Sequence, residues 1–206
     1  MKRLMFVLSL LPMAALADDA VIAEVLNRIR QGGEGKFQYK ETRLMELASA
    51  PWQGQGYMLT DPNGSLVKLQ LQPARVIMAI SDEQMYYWDP AQNQRHSAPL
   101  SYGGAAAEQI AIFRSILQGR TEAFQQTYDF VAERDAKHWQ LKMTPKPGQD
   151  DEAPTIEIAG DDDANKRRIS IRQPDGESTE YRIEKAPEQQ TADYAIPDLL
   201  REATGD

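Results

Sequence analysis

The sequence predicts a mainly β protein of the α+β class, in which helices cover one side of a strongly curved antiparallel sheet of about 10–11 strands. Three observations support this prediction. Hydrophobic and polar residues alternate over many short segments, which is typical of strands with one buried face. Turn sequences such as Asn63-Gly64 and Asp175-Gly176 separate several of these segments. Two other segments, 18–30 and 103–118, carry their hydrophobic residues at helical spacing.

Residues 1–17 have the pattern of a secretion signal. Lys2 and Arg3 form a charged start, an apolar run extends from Leu4 to Leu11, and Ala15-Leu16-Ala17 is a small-residue cleavage site. We therefore expect cleavage after Ala17, a location in a bacterial periplasm, and a single domain over residues 18–206. The chain contains 0 Cys, which excludes a lipid-anchoring cysteine, a disulfide and a cysteine-based site.

The first half of this domain is predicted as one helix followed by a series of hairpins. The helix is expected to begin at Asp18 or Asp19 and to end near Arg30, because its apolar residues share one face. Proline residues interrupt the alternating pattern that follows, and Asp61-Pro62-Asn63-Gly64 has the composition of a turn. The predicted strands are 36–47, 53–60, 65–72, 75–81, 84–89 and 94–98.

The second half is predicted to begin with another helix, over residues 103–118. Its apolar stripe comprises Ile110, Ile112, Phe113, Ile116 and Leu117. The polar stretches 146–153 and 188–193 are expected to be loops. The predicted strands of this half are 128–134, 139–144, 155–159, 167–173 and 178–184.

The charge of the chain excludes two classes of partner. With 23 basic and 31 acidic residues the formal net charge is −8, and nucleic acid binding needs a basic surface instead. The same charge excludes docking on an anionic membrane by electrostatic attraction.

No motif for catalysis or metal binding stands out. His96 and His138 each lie in or beside a predicted hairpin without a partner at metal-ligand spacing, so we expect both at the surface. The acidic runs Asp150-Asp151-Glu152 and Asp161-Asp162-Asp163 lack the EF-hand spacing and are expected to be solvated loops. We therefore expect no enzymatic activity, no metal site and no cofactor. A hydrolase with a site assembled from dispersed residues is one alternative, and it requires a perturbed carboxylate or histidine in a cleft.

Methionine and aromatic residues concentrate in the first half of the domain. Methionine adapts to apolar partners of irregular shape, so such a set is suited to lining a binding cavity. An ordinary packed core with alternating strands would produce the same pattern. The residues are Phe37, Tyr39, Met45, Met58, Met78, Met85, Tyr87 and Trp88.

The order of these segments resembles the LolA family of periplasmic carriers of outer-membrane lipoproteins. The resemblance extends over nearly the whole domain, and no single motif in it is specific. It is based on the segments Phe37–Arg43, Gly54–Leu59, Leu66 with Gln72-Pro73, Ile80–Pro90, and Arg167–Arg182 around Pro174-Asp175-Gly176. The resemblance is to divergent members of the family, because the Arg-Pro pair and the aromatic-Arg-Trp stretch typical of these carriers are replaced by Asp61-Pro62-Asn63-Gly64 and Leu66-Val67-Lys68-Leu69.

The resemblance implies an open half-barrel of antiparallel strands with lid helices over a cavity that receives acyl chains. Lys68 is the positional candidate for the arginine that holds the lid in this family, with Arg43 and Arg75 as alternatives. The expected cavity residues are Phe37, Tyr39, Met58, Leu69, Leu71, Met78, Met85 and Tyr87 on the sheet, and Ile112, Phe113 and Ile116 on the lid.

Two functions are therefore expected. The first is a monomeric periplasmic carrier, not an enzyme, that binds the acyl chains of a lipoprotein or another lipid-like cargo and moves it toward the outer membrane. An inner-membrane exporter and an outer-membrane acceptor would be its partners. The second is a module of the cell envelope with the same fold that senses lipid or binds another protein.

Overall fold

The structure is a computed structural model that describes residues 14–31, 33–102, 114–116, 120, 124–148, 153–161 and 166–205. Helix α1 (Ala14–Gln31) precedes six strands and a short 3-10 helix (Leu100–Tyr102). These strands are β1 (Gly35–Leu44), β2 (Trp52–Thr60), β3 (Leu66–Gln72), β4 (Val76–Ser81), β5 (Gln84–Asp89) and β6 (Gln94–Pro99). The second half contains β7 (Tyr128–Arg134), β8 (His138–Pro145), β9 (Thr155–Asp161), β10 (Lys166–Arg172), β11 (Ser178–Lys185), α2 (Glu188–Thr191) and α3 (Ile196–Thr204).

The described strands form one open antiparallel sheet. It has 11 strands in the order β6-β5-β4-β3-β2-β1-β11-β10-β9-β8-β7, so β6 and β7 are its two edges. Strand β1 is central because it pairs with β2 on one side and with β11, from the other end of the chain, on the other. This architecture confirms the predicted fold class, a mainly β protein whose antiparallel sheet is covered by helices.

Two predicted boundaries differ from the structure, and a third lies outside the described residues. Strand β1 ends at Leu44 and not at Leu47, whose side chain is 98% exposed in the turn that follows. Helix α1 begins at Ala14, ahead of the predicted start at Asp18 or Asp19. Of the helix predicted over 103–118, residues 114–116 are described and are helical, and the remainder lies outside the described residues.

The C-terminal segment contains two helices that the sequence analysis did not predict. The stretch 188–193, expected to be a loop, contains α2, in which the Thr191 side chain is buried and its backbone oxygen accepts a hydrogen bond from Lys36 Nζ at 2.7 Å. Helix α3 follows, and Gly205 ends it with a left-handed φ of 86°. Its apolar residues recur at helical spacing, as Ile196, Leu199, Leu200 and Ala203.

Each face of the sheet carries its own hydrophobic core. We call the two faces the Phe37 face and the Leu69 face. Other residues are assigned to a face from the register, because residues opposite each other on antiparallel strands share a face. The Phe37 face packs against α1 through Val25 and Ile29, which are both fully buried. The Leu69 face of β2–β5 packs against α3 through Leu199 and Ala203.

The packing of α3 gives a first test of this architecture. Replacement of Leu199, which is 4% exposed, by alanine should lower the free energy of unfolding by about 2–5 kcal/mol, because it leaves a cavity against β3 and β4. Urea unfolding followed by circular dichroism measures this loss. Val131→Ala, at a side chain that is 56% exposed, is the control and should change stability by less than about 0.5 kcal/mol. Equal effects of the two substitutions would contradict the docking of α3.

Candidate functional site

Six of the predicted cavity residues share the Phe37 face. Phe37 is opposite Met58, Met78 is opposite Tyr87, and Ile80 on the same face is opposite Met85. The side chains of Phe37, Tyr39 and Met58 are buried in the core of this face. Those of Met78, Met85 and Tyr87 are half-buried, so the apolar surface becomes more open toward β5 and β6.

Leu69 and Leu71 do not belong to this face, so the expectation that they line the same cavity as Phe37 is wrong. In β3, Lys68 is opposite Met58 and therefore lies on the Phe37 face, and Leu69 lies on the other. Leu69 is fully buried under α3, and Leu71 packs at the edge of the same core. The alternation within the strand was predicted correctly, but it does not reveal which of two apolar faces the leucines occupy.

The cover of the Phe37 face includes a short described part of the predicted second helix. Ile116 is fully buried in the same core as Phe37 and Met58. Arg114, two positions earlier, contacts Glu83 in the β4–β5 turn, with Nη2 3.1 Å from Oε1. The other two predicted lid residues, Ile112 and Phe113, lie outside the described residues.

A buried ion cluster interrupts the apolar Phe37 face. The Glu41 side chain is fully buried, and its Oε2 accepts a hydrogen bond from Lys68 Nζ at 2.5 Å. Its Oε1 accepts hydrogen bonds from Arg43 Nε at 2.5 Å and from the Tyr181 hydroxyl at 3.1 Å. Burial lowers the pKa of Lys68, and the Glu41 carboxylate opposes this effect. The cluster therefore satisfies both oxygens of its carboxylate inside the protein.

The two buried tyrosines beside this cluster are held neutral. Burial, and next the charge of Glu41, raises the pKa of both Tyr39 and Tyr181 far above its usual value. Lys68 Nζ lies 5.2 Å from the ring centroid of Tyr39 and 5.4 Å from that of Tyr181, in cation–π contact with both. Each tyrosine therefore keeps its hydroxyl proton and can donate a hydrogen bond.

Among the described residues of the Phe37 face, two polar side chains have buried atoms without a hydrogen-bond partner. They are Tyr39, at its hydroxyl oxygen, and Arg167, at Nε and Nη2. Arg167 is only 6% exposed, and its burial lowers the pKa of the guanidinium to about 10. Both residues belong to one row of the register, in which Tyr39 is opposite Ile183 and Ile183 is opposite Arg167. Arg167 was not predicted as a site residue, although it is in phase with the apolar residues Ile169 and Ile171.

The candidates for the family's lid-holding arginine have other partners. Lys68 and Arg43 both bind Glu41 in β1, and the Arg43 guanidinium also stacks over the Trp52 ring at 4.8 Å. Arg75 pairs with Glu202 in α3 through both of its terminal nitrogens. In the part of the lid that is described, the ion pair to the sheet is made by Arg114 of the lid segment itself.

A polar groove of about 1070 Å³ lies along the central strands. Many of its lining side chains, such as Gln38 and Glu184, belong to the Leu69 face, and its lining also includes Tyr39, Arg167 and Ile183 of the Phe37 face. Lys40, Arg182 and Arg168 are directly opposite each other there, on three adjacent strands. Arg182 pairs with Glu180 and Arg168 with Glu157, at 2.8 and 3.3 Å. Acidic residues including Asp135 and Asp161 line another part of the groove.

The histidines are where the sequence analysis expected them. His138 is 66% exposed, with Nδ1 3.5 Å from Asp135 and Nε2 3.7 Å from Asp161, and His96 is exposed on β6. Among the described residues, no group of three or more His, Asp or Glu side chains is arranged to hold a metal ion. None of the described helices is long and apolar enough to cross a membrane.

Solved structures with a similar fold include a LolA superfamily protein from Nitrosomonas europaea, at 12% identity and a TM-score of 0.41, covering 82% of this chain and 94% of that one. A DUF1329 family protein from Desulfovibrio piger matches at 12% identity and a TM-score of 0.46, over 88% and 98% of the two chains. A chain of the MucA/MucB complex of Pseudomonas aeruginosa matches at 16% identity and a TM-score of 0.41, over 86% of this chain and 60% of that one.

These comparisons concern the fold. The LolA superfamily, which the sequence resembles, is found among the similar structures. The present chain spans only 60% of the matched chain in the MucA/MucB complex. No protein-family model matches the sequence, and no curated protein is similar to it in sequence.

The buried ion cluster provides a test of the site geometry. Glu41→Gln should lower the free energy of unfolding by about 3–5 kcal/mol, because it leaves Lys68 charged, buried and without its carboxylate. The double variant Glu41→Gln/Lys68→Met should recover most of this loss, because the uncompensated ammonium is then replaced by an apolar chain. A double-mutant cycle by urea unfolding measures the coupling, and additive effects would show that the two side chains do not interact.

Proposed function

We propose that this protein is a periplasmic carrier, without enzymatic activity, that shelters the acyl chains of a lipid-like cargo on the Phe37 face of its sheet. The observation on which the proposal depends is that apolar side chains from distant strands share that face. They include the buried Phe37 and Met58 and the half-buried Met78 and Met85, with Lys68 between Met58 and Met78 in the register. The sequence resemblance to the LolA family supports the same function.

The energetics of acyl transfer explain why such a surface is needed. A long acyl chain that leaves a membrane exposes hydrocarbon worth about 0.8 kcal/mol per methylene, or on the order of 10 kcal/mol in total. A carrier has to replace most of this burial and later release the chain. Half-buried methionines suit this task, because their flexible side chains adapt to an apolar partner that comes and goes.

The proposed cargo is a lipoprotein or another acylated molecule on its way to the outer membrane. The expected partners are an inner-membrane donor that loads the carrier and an outer-membrane acceptor that unloads it. The signal sequence predicted over residues 1–17 is consistent with this location. We propose that the carrier is a monomer, because one chain supplies both the sheet and its cover.

Acyl binding to the Phe37 face can be tested with a charge placed on its open side. Met78→Asp and Met85→Asp should each reduce uptake of a fluorescent fatty-acid probe at least tenfold, because a carboxylate there would have to be desolvated by the chain. Val131→Asp, on the Leu69 face, is the matched control and should bind the probe as the unsubstituted protein does. Uptake that is equally strong in all three variants would exclude this face as the acyl site.

A second function, a protein- or lipid-sensing module of the cell envelope, is favoured by a different observation. The centre of the Phe37 face is filled by side chains of the protein itself, including the fully buried Val25, Ile29 and Ile116. The groove is open, and Lys40, Arg182 and Arg168 form a basic row in its lining, in which Arg182 and Arg168 each pair with a glutamate. Such a groove is complementary to an anionic surface of a partner.

This second function predicts a partner in contact with the groove. A photo-crosslinking residue at Gln55, which lines the groove, should give a discrete protein or lipid adduct in intact cells. The adduct should decrease severalfold when Arg168 and Arg182 are both replaced by glutamate, because the charge complementarity is reversed. A probe at Val131, outside the groove, is the control. Equal crosslinking with and without the charge reversal would exclude the cationic row as the contact.

A further inference from the structure

Arg167 is the charged group on the Phe37 face whose position the packing alone does not explain. It lies on β10 opposite Gly160 of β9 and Ile183 of β11, so its neighbours in the register offer no counter-ion. It is 6% exposed, and both Nε and Nη2 are buried without a partner. An unpaired buried charge is strongly unfavourable, and native proteins seldom keep one without a role.

The comparison with Glu41 on the same face makes the difference clear. Glu41 is buried to a similar degree, but both of its oxygens accept hydrogen bonds from Lys68, Arg43 and Tyr181. The fold therefore supplies partners for a charge that is only structural. Arg167 has a pKa of about 10, so it remains a cation at neutral pH although no residue in the described part of the chain pairs with it. The charge of Arg167 is thus available to a group from outside the chain.

The hydrogen-bond donors of Arg167 that lack a partner indicate the geometry of the external group that it could bind. The Nε–H and one Nη2–H of a guanidinium point in the same direction and form one edge of its planar fork, and this edge matches the two oxygens of a carboxylate. Both donors of this edge are without partners in Arg167. The unpaired hydroxyl of Tyr39 lies in the same row, two strands away, which is about 10 Å between backbones.

We propose that Arg167, with Tyr39 as an additional donor, binds the carboxylate of a free fatty acid-like cargo whose chain lies on the Phe37 face. The inference rests on the proposed carrier function and specifies its substrate class. Trp139 and Ile183, in the same row of the register as Arg167, and Ile169 on its own strand belong to the hydrophobic core of this face, so an acyl chain bound there would have its acidic end near the guanidinium. Arg167 is also among the residues that line the polar groove.

This substrate class differs from the lipoprotein cargo of the family that the sequence resembles. An ester- or amide-linked acyl chain carries no anion at its end and leaves Arg167 unpaired. A free acid supplies the missing counter-ion, and its binding removes the cost of the buried charge. Discrimination should therefore depend on the acidic group and not on the length of the chain.

The experiment compares hexadecanoic acid with 1-hexadecanol, which has the same chain without the charge. Each is titrated against the full protein loaded with the neutral fluorescent probe N-phenyl-1-naphthylamine. The unsubstituted protein should bind the acid about tenfold to a hundredfold more tightly than the alcohol, as expected of a hydrogen-bonded ion pair. Arg167→Met should remove this preference, and Tyr39→Phe should reduce it in part.

Arg168→Met is the matched control. Arg168 follows Arg167 in the sequence, but its side chain lies on the opposite face of the sheet and pairs with Glu157. This variant should keep the preference for the acid. If the unsubstituted protein binds acid and alcohol equally, the role of Arg167 is overturned while the carrier function stands. If it binds neither, and does not take up the probe, the carrier function itself fails. The comparison in the unsubstituted protein decides the matter even if Arg167→Met does not fold.

Discussion

The structure depends on one constraint, which is that an open sheet with two apolar faces has to cover both of them. Strands β2 to β4 carry buried residues on each side, with Met58 and Ile80 on the Phe37 face and Leu59 and Ile77 on the Leu69 face. An antiparallel sheet with one solvated face needs helices on one side only. Here α1 and the segment around Ile116 cover one side of the sheet, and α3 covers the other. The two coverings therefore complete two separate hydrophobic cores, one on each face of the sheet.

The same constraint makes charged groups on the Phe37 face informative. In an environment of low dielectric constant a buried charge is tolerated when its hydrogen bonds are complete and is costly when they are not. Glu41 meets the first condition, because Arg43 of β1, Lys68 of β3 and Tyr181 of β11 all donate hydrogen bonds to its oxygens. Arg167 meets the second, since its neighbours in the register are Gly160 and Ile183. One face therefore contains both a self-sufficient polar cluster and a cation that requires a ligand.

The periodicity of the sequence was sufficient to predict the class of the fold, and it was insufficient for the assignment of faces. Alternation predicted that Val67, Leu69 and Leu71 point the same way, and they do. It placed Leu69 and Leu71 with Phe37 because a period of two identifies a set of residues without identifying its neighbours. Helix α3 was missed because the polar residues before it favour a loop, although Ile196, Leu199 and Ala203 have helical spacing. Without α3 there was nothing to indicate that the leucines of β3 had a second core to join.

The charged residues of the site could be recognised in part from the same patterns. Arg167 precedes Ile169 and Ile171 at intervals of two, and Glu41 follows Tyr39 in the same way, so each is a charge in phase with a buried face. A charged residue at a position where the alternation predicts a buried apolar side chain requires a physical explanation. The sequence alone identifies both of these residues. It cannot distinguish them, because the partners of Glu41 come from β3 and β11, and the latter is 140 residues away along the chain. The strand order is needed to distinguish Glu41, whose charge the fold neutralises, from Arg167, whose charge has no partner among the described residues.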